Sequence, residues 1–181
     1  MATSKTGSFW LTEVVQLAGG STTGDRVQGT IDLGAYVDVG DQQAIAIESV
    51  DYIWQYSTDY SSNPESMLLT SGSLGAQLSD LNPGTAFVRA DDNSLVSSGT
   101  MCIDQPNNIV SHSADFYPDV FGKLDESRMV VNDSLYLVAG VDGATSGTAI
   151  IFLTARIKAR IVKLSTKDWM SIAIQSTASD N

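Results

Sequence analysis

Residues 149–161 read AIIFLTARIKARI, and this stretch decides the fold. Every odd position, from Ala149 through Ile151, Leu153, Ala155, Ile157 and Ala159 to Ile161, is apolar. The even positions grade from Ile150 and Phe152 through Thr154 to Arg156, Lys158 and Arg160. Successive side chains of a strand point to opposite faces, so this is a long β-strand with one buried and one mostly wet side. Val162 and Leu164 then take over the apolar role, which predicts a β-bulge near Ile161.

The same period runs outward from there. Val27, Gly29, Ile31, Leu33, Ala35, Val37 and Val39 alternate with polar residues, and Gly40-Asp41 turns the chain. A second long strand is expected from Gln43 to about Ser57. Its apolar parity changes from Ile45 and Ile47 to Val50, Tyr52, Trp54 and Tyr56, the one-residue slip of a bulge. Short strands are expected at Met67–Leu69, Ala86–Ala90 and Leu95–Ile103, with Asn82-Pro83-Gly84 suited to a type II turn. Asn107–Gly122 reads as a long loop tied down by its aromatics. Met129, Val131, Leu135, Leu137 and Ala139 share one parity across Asn132-Asp133-Ser134, which is either a bulge or a turn. Met170, Ile172 and Ile174 suggest a last strand, and Phe9–Ala18 fits a strand or a short helix capped by Ser8 equally well. Eight to nine strands with turns between them point to an all-β, two-sheet sandwich or a barrel, in one domain spanning 1–181 with flexible residues 1–7 and a polar tail at 176–181.

Composition narrows the chemistry by exclusion. The chain has 181 residues, 43% of them hydrophobic, which supplies a core without staples. Asp and Glu number 21 against 10 Lys and Arg, for a net charge of −11, so sequence-independent binding to nucleic acid phosphate is disfavoured. The excess is carried by 17 Asp against 4 Glu, partly a turn-former's bias and partly consistent with a salty habitat. The longest uninterrupted apolar run, Ala149–Leu153, is far short of a membrane span, and the N-terminus has no signal-peptide pattern. Cys102 stands alone, with no intramolecular disulfide to make, and is expected to be a buried thiol.

Catalytic and metal motifs are sparse. The one imidazole, His112, has no G-x-S-x-G nucleophile elbow to serve, and one His with one Cys is too little for a structural zinc site. Asp91-Asp92-Asn93 and Asp115–Asp119 lack the spacing of a calcium loop. Gly19-Gly20-Ser21-Thr22-Thr23-Gly24 lacks the Gly-Lys-Ser/Thr ending of a phosphate loop and is followed by Asp25. Asn132-Asp133-Ser134 matches a glycosylation sequon whose use requires a secretory route. No catalytic residue, cofactor or metal is therefore assigned, and no enzyme activity is expected. The departure from chance is basic: Arg156, Lys158, Arg160, Lys163 and Lys167 fall within 12 positions of an acidic chain. On a strand the first three share a face, where they serve either as contacts to acidic neighbours or anionic lipid, or as gatekeepers against wrong pairing.

The strand pair Val27–Tyr56, the run from Leu135 through Ile150-Ile151-Phe152-Leu153 and Arg156-Ile157-Lys158-Ala159-Arg160, and Met170–Ile174 together resemble a single jelly-roll major capsid protein of icosahedral, internal-membrane viruses of halophilic archaea, in its smaller subunit. The resemblance implies an eight-stranded jelly-roll sandwich and a virion location after synthesis in the host cytoplasm. It also implies self-assembly with a second, larger capsid subunit over a lipid membrane, with no specific nucleic acid and no small-molecule substrate. On that reading Arg156, Lys158 and Arg160, with the loop aromatics Tyr60, Phe116, Tyr117 and Phe121, are the candidate contact residues. A β-sandwich module binding carbohydrate through Trp10, Trp54 or Trp169 is the alternative.

Overall fold

A computed structural model describes residues 2–57, 63–116 and 127–177, with the side chains of 113–116 and 176–177 left aside. Strand β10 (Ile151–Lys163) is its axis. Along β10, Ile151, Leu153, Ala155, Ile157 and Ala159 are fully buried, as the alternation requires. It pairs antiparallel with β2 (Phe9–Leu17) on one side and with β4 (Gln43–Tyr56) on the other. Phe9–Ala18 is therefore strand rather than helix, its alternation satisfied by burying Val15 and Leu17. Strand β8 (Arg128–Val130) adds to β4, and Thr3–Ser4, β1, runs beside the end of β10 rather than hanging loose.

The second sheet has the order β3 (Arg26–Asp32), β9 (Ser134–Asp142), β5 (Gly72–Ser79), β6 (Leu95–Asp104), β7 (Ile109–Phe116). The chain crosses between sheets at six of its nine strand-to-strand connections. The resulting orders β2-β10-β4-β8 and β3-β9-β5-β6, all antiparallel, are those of an eight-stranded jelly roll, with β1 and β7 as additions. Leu135, Leu137, Leu74, Leu78 and Ile103 of the second sheet meet the inward residues of the first in one continuous apolar core.

The expected bulge in β4 is present. Lys158 opposes Ser49 and Ala159 opposes Ile47, so Glu48 is the extra residue, and the inward set changes there from Ile45 and Ile47 to Val50 and Tyr52. No bulge lies near Ile161: the β10–β4 register is unbroken from Ala159 to Lys163. Val162 and Leu164 are buried because helix α1 (Thr166–Thr177) covers that end of the sheet's outer face, packing Trp169, Ile172 and Ala173 against Ala44, Ala46, Val131, Val162 and Leu164. Met170–Ile174 is thus helix, not strand. Ser165 caps it, accepting the Asp168 N–H at 3.1 Å, and the inward residues recur at helical spacing.

Other expected elements shift for local reasons. The strand from Val27 ends at Asp32, whose carboxylate accepts the Gly34 N–H at 2.8 Å, while Tyr36 and Val37 N–H both turn back to the Leu33 carbonyl. Met67 ends a 3-10 turn, Pro64–Met67, and Ala86–Ala90 is a loop whose Val88 backbone bonds both ends of the Gln77 side-chain amide instead of a strand. Ile109–Phe116 is strand β7, not loop. Residues 131–133 carry the chain from β8 in one sheet to β9 in the other.

Asp80, just beyond β5, helps tie this crossing together. Its buried carboxylate meets Arg128 Nη2 at 3.4 Å, Arg128 also donates to the Asn93 carbonyl at 2.6 Å, and Asn132 Nδ2 donates to the Asp80 carbonyl at 2.7 Å. Burial pushes the Asp80 carboxyl up to about 6, with Arg128 opposing and Asp92 reinforcing the rise. The folded state therefore holds this proton more tightly than the unfolded chain. Its contribution is fully present below the ordinary Asp value of 3.8 and is lost as pH rises through about 6. In urea unfolding across that interval, Asp80→Asn should remove a decline worth about 3 kcal/mol relative to the parent protein.

Candidate functional site

The space between the sheets is filled by aliphatic side chains, among them Leu17, Ile47, Leu74, Leu137 and Leu153, each at most 1% exposed. Partners must therefore engage the outside. On the second sheet's outer face, Phe87 lies against Gly75, and Arg26 stacks on Phe87 at 4.3 Å while forming a bidentate pair with Asp142. A cleft of about 150 Å³ remains beside Phe87, floored by Ser73, Gly75 and Thr100. A broad depression of about 700 Å³ lies among Leu69, Ser71, Gln105, Pro106 and Gly143. Neither holds a cluster of chemically active side chains.

The first sheet's outer face is more informative. One end is covered by α1, and among the described residues no element covers the other, here called the bare end. Cross-strand rows on the bare end read Gln16–Phe152–Gln55, Val14–Thr154–Ile53, Thr12–Arg156–Asp51 and Trp10–Lys158–Ser49. Trp10 is 47% exposed and Val14 48%. At the boundary between the two ends sits Glu48, turned outward by the bulge. Its buried carboxylate accepts Ser8 Oγ–H at 2.9 Å, pairs with the Arg160 guanidinium, and has Lys158 Nζ at 3.6 Å.

Two of the three strand cations, Lys158 and Arg160, are thus engaged within the chain. Arg156 is exposed, its guanidinium stacked 4.7 Å from the Trp10 ring centre. Tyr60, Tyr117 and Phe121, and the side chain of Phe116, lie outside the described residues. Cys102 is exposed, not buried, because Met101 and Ile103 take the inward parity of β6. His112 is exposed on β7 opposite Met101. Among the described residues no group of three His, Cys, Asp or Glu side chains converges on a metal position. In the glycine-rich loop the Asp25 carboxylate accepts Thr22 N–H and Oγ–H, at 2.7 and 3.1 Å, and so occupies the place an anion would take. Trp54 and Trp169 are partly buried against core side chains, which leaves Trp10 as the exposed tryptophan.

Glu48 is the site residue that the sequence reading passed over, while Trp10 entered it only as a carbohydrate-stacking candidate. The signal for Glu48 was the parity slip itself, since an acid at a bulge opposite Lys158 and Arg160 must meet them once β4 pairs with β10. Arg160→Gln leaves a buried carboxylate without its main partner and should cost about 2–3 kcal/mol in denaturant unfolding. Lys158→Gln, at the longer and more exposed contact, should cost less than about 1 kcal/mol.

No family model matches the chain, and neither does any curated protein. Among solved structures, one titled Desmodium yellow mottle tymovirus is similar at a TM-score of 0.29 and 6% identity, over 88% of this chain and 91% of that one. At that level the likeness carries no weight, and the jelly-roll assignment rests on strand order and pairing.

Proposed function

We propose that this chain is a structural subunit of an icosahedral virion shell and acts by assembly rather than catalysis. The observation that supports this reading is a jelly roll with a filled interior and a bare, partly apolar outer face. A ligand-binding jelly roll needs room for its ligand, whereas a building block needs a stiff body and exposed contacts. The sequence resemblance extends the reading to a larger jelly-roll partner and an internal membrane in a virus of a halophilic archaeon. The net charge of −11 agrees with it, because copies of such a chain pack closely only when salt or local cations offset their repulsion.

Exposed Trp10 favours a second reading, a carbohydrate-stacking module. Arg156 already stacks on that ring, which counts against it. The mass of the purified chain in dilute buffer and in about 1 M salt, where the Debye length falls to about 3 Å, separates the two. A building block should shift to higher oligomers in salt, alone or with virion proteins. A monomer under every condition, with glycan binding, would contradict the shell reading.

A further inference from the structure

We propose that α1 of one copy docks on the bare end of the first sheet's outer face in a second copy, in a two-fold exchange that buries both exposed apolar sets. The inference rests on the building-block reading and names its contact.

The outer face has a step. Over one end α1 stands about 10 Å above the strands, and over the other end Trp10 and Val14 lie exposed beside half-buried Phe152 and Ile53. A flat partner cannot touch both levels, whereas a layer one helix thick fits the lower one. Such a layer is present in the chain itself. Helix α1 turns Trp169, Ile172 and Ala173 to its own sheet, but Met170 is 51% and Ile174 62% exposed. These two lie one turn apart, roughly 100–140° around the helix from the inward stripe. The helix is thus apolar on more than the side it uses.

A two-fold axis lying between the copies, perpendicular to β10 and near the Glu48 boundary, exchanges covered and bare ends. Each α1 then fills the other copy's lower level, and the two helices form one middle layer between two sheets. Charge agrees with a second copy as the occupant. The chain carries −11, yet the rows of the bare floor hold one anion, Asp51, against two cations, Arg156 and Lys158, the latter 3.6 Å from Glu48 at the boundary. The arriving helix brings exposed Lys167 on the same side as Met170 and Ile174. A second acidic copy therefore meets no excess of negative charge on this floor.

The test is self-association of the full chain measured by sedimentation in high salt. Val14→Lys and Ile174→Asp should each weaken it at least tenfold without changing the unfolding midpoint, since both side chains point outward. Val14→Lys with Ile174→Asp in one chain should recover most of the loss, because each new lysine meets the other copy's new aspartate. Ile53→Lys with Met170→Asp provides a second pair, read the same way, if either first variant misfolds. Association unaffected by the single changes overturns the contact but leaves the building-block reading standing. Single losses without recovery in the double variant also overturn it, since the helix and the floor then meet different partners. A parent chain that stays monomeric in salt and with virion proteins removes both.

Discussion

The pairing of β10 with β2 on one side and β4 on the other is the constraint on which the rest of the molecule depends. It fixes which residues face inward, and a one-residue slip would turn every buried Ile and Leu of β10 to the opposite face. The slip that does occur is absorbed by a single extra residue, Glu48, and the chain uses it. The bulge turns a carboxylate to the outer face, where Arg160, Lys158 and Ser8 hold it. One covalent insertion therefore keeps both halves of β4 in register with the core and divides the outer face into a covered and a bare end.

That division carries the functional reading. A jelly roll hosts many functions, so the fold alone decides little. What narrows the choice is where this one has left room. The interior is filled, the second sheet is partly capped by the 82–90 loop through Phe87, and the first sheet is capped by α1 over one end. Edge pairing is discouraged too. Glu13 on edge strand β2 sits inward between Leu11 and Val15, and burial raises its carboxyl above the ordinary range. The face that remains open among the described residues is short, apolar at Val14 and Trp10, and without the negative excess of the chain as a whole.

The long strands were legible because both of their faces have a distinct environment. Period two in β10 and the parity change in β4 each correspond to one physical event, and both are found where the residues put them. Met170–Ile174 misled for a related reason: Met170, Ile172 and Ile174 alternate by chance on a helix whose sheet-facing residues are Trp169, Ile172 and Ala173. The apparent bulge at Ile161 had the same origin, since an outer face covered by a helix reads like an inner one. Strand β5 was passed over because its outward residues, Ser73, Gly75 and Gln77, are small or polar and leave only Leu74, Ala76 and Leu78 to signal it. The basic residues were visible as charge, but their division into a Glu48 cluster and a Trp10 stack depends on cross-strand neighbours that no single segment contains.

Hydroxyl-radical footprinting of the isolated and assembled chain tests the central claim most directly, because it reads the exposure of individual side chains. The account predicts that Trp10 and Met170 lose reactivity together on assembly, while buried Met101 stays unreactive in both states. Equal labelling of Trp10 and Met170 before and after assembly would contradict it.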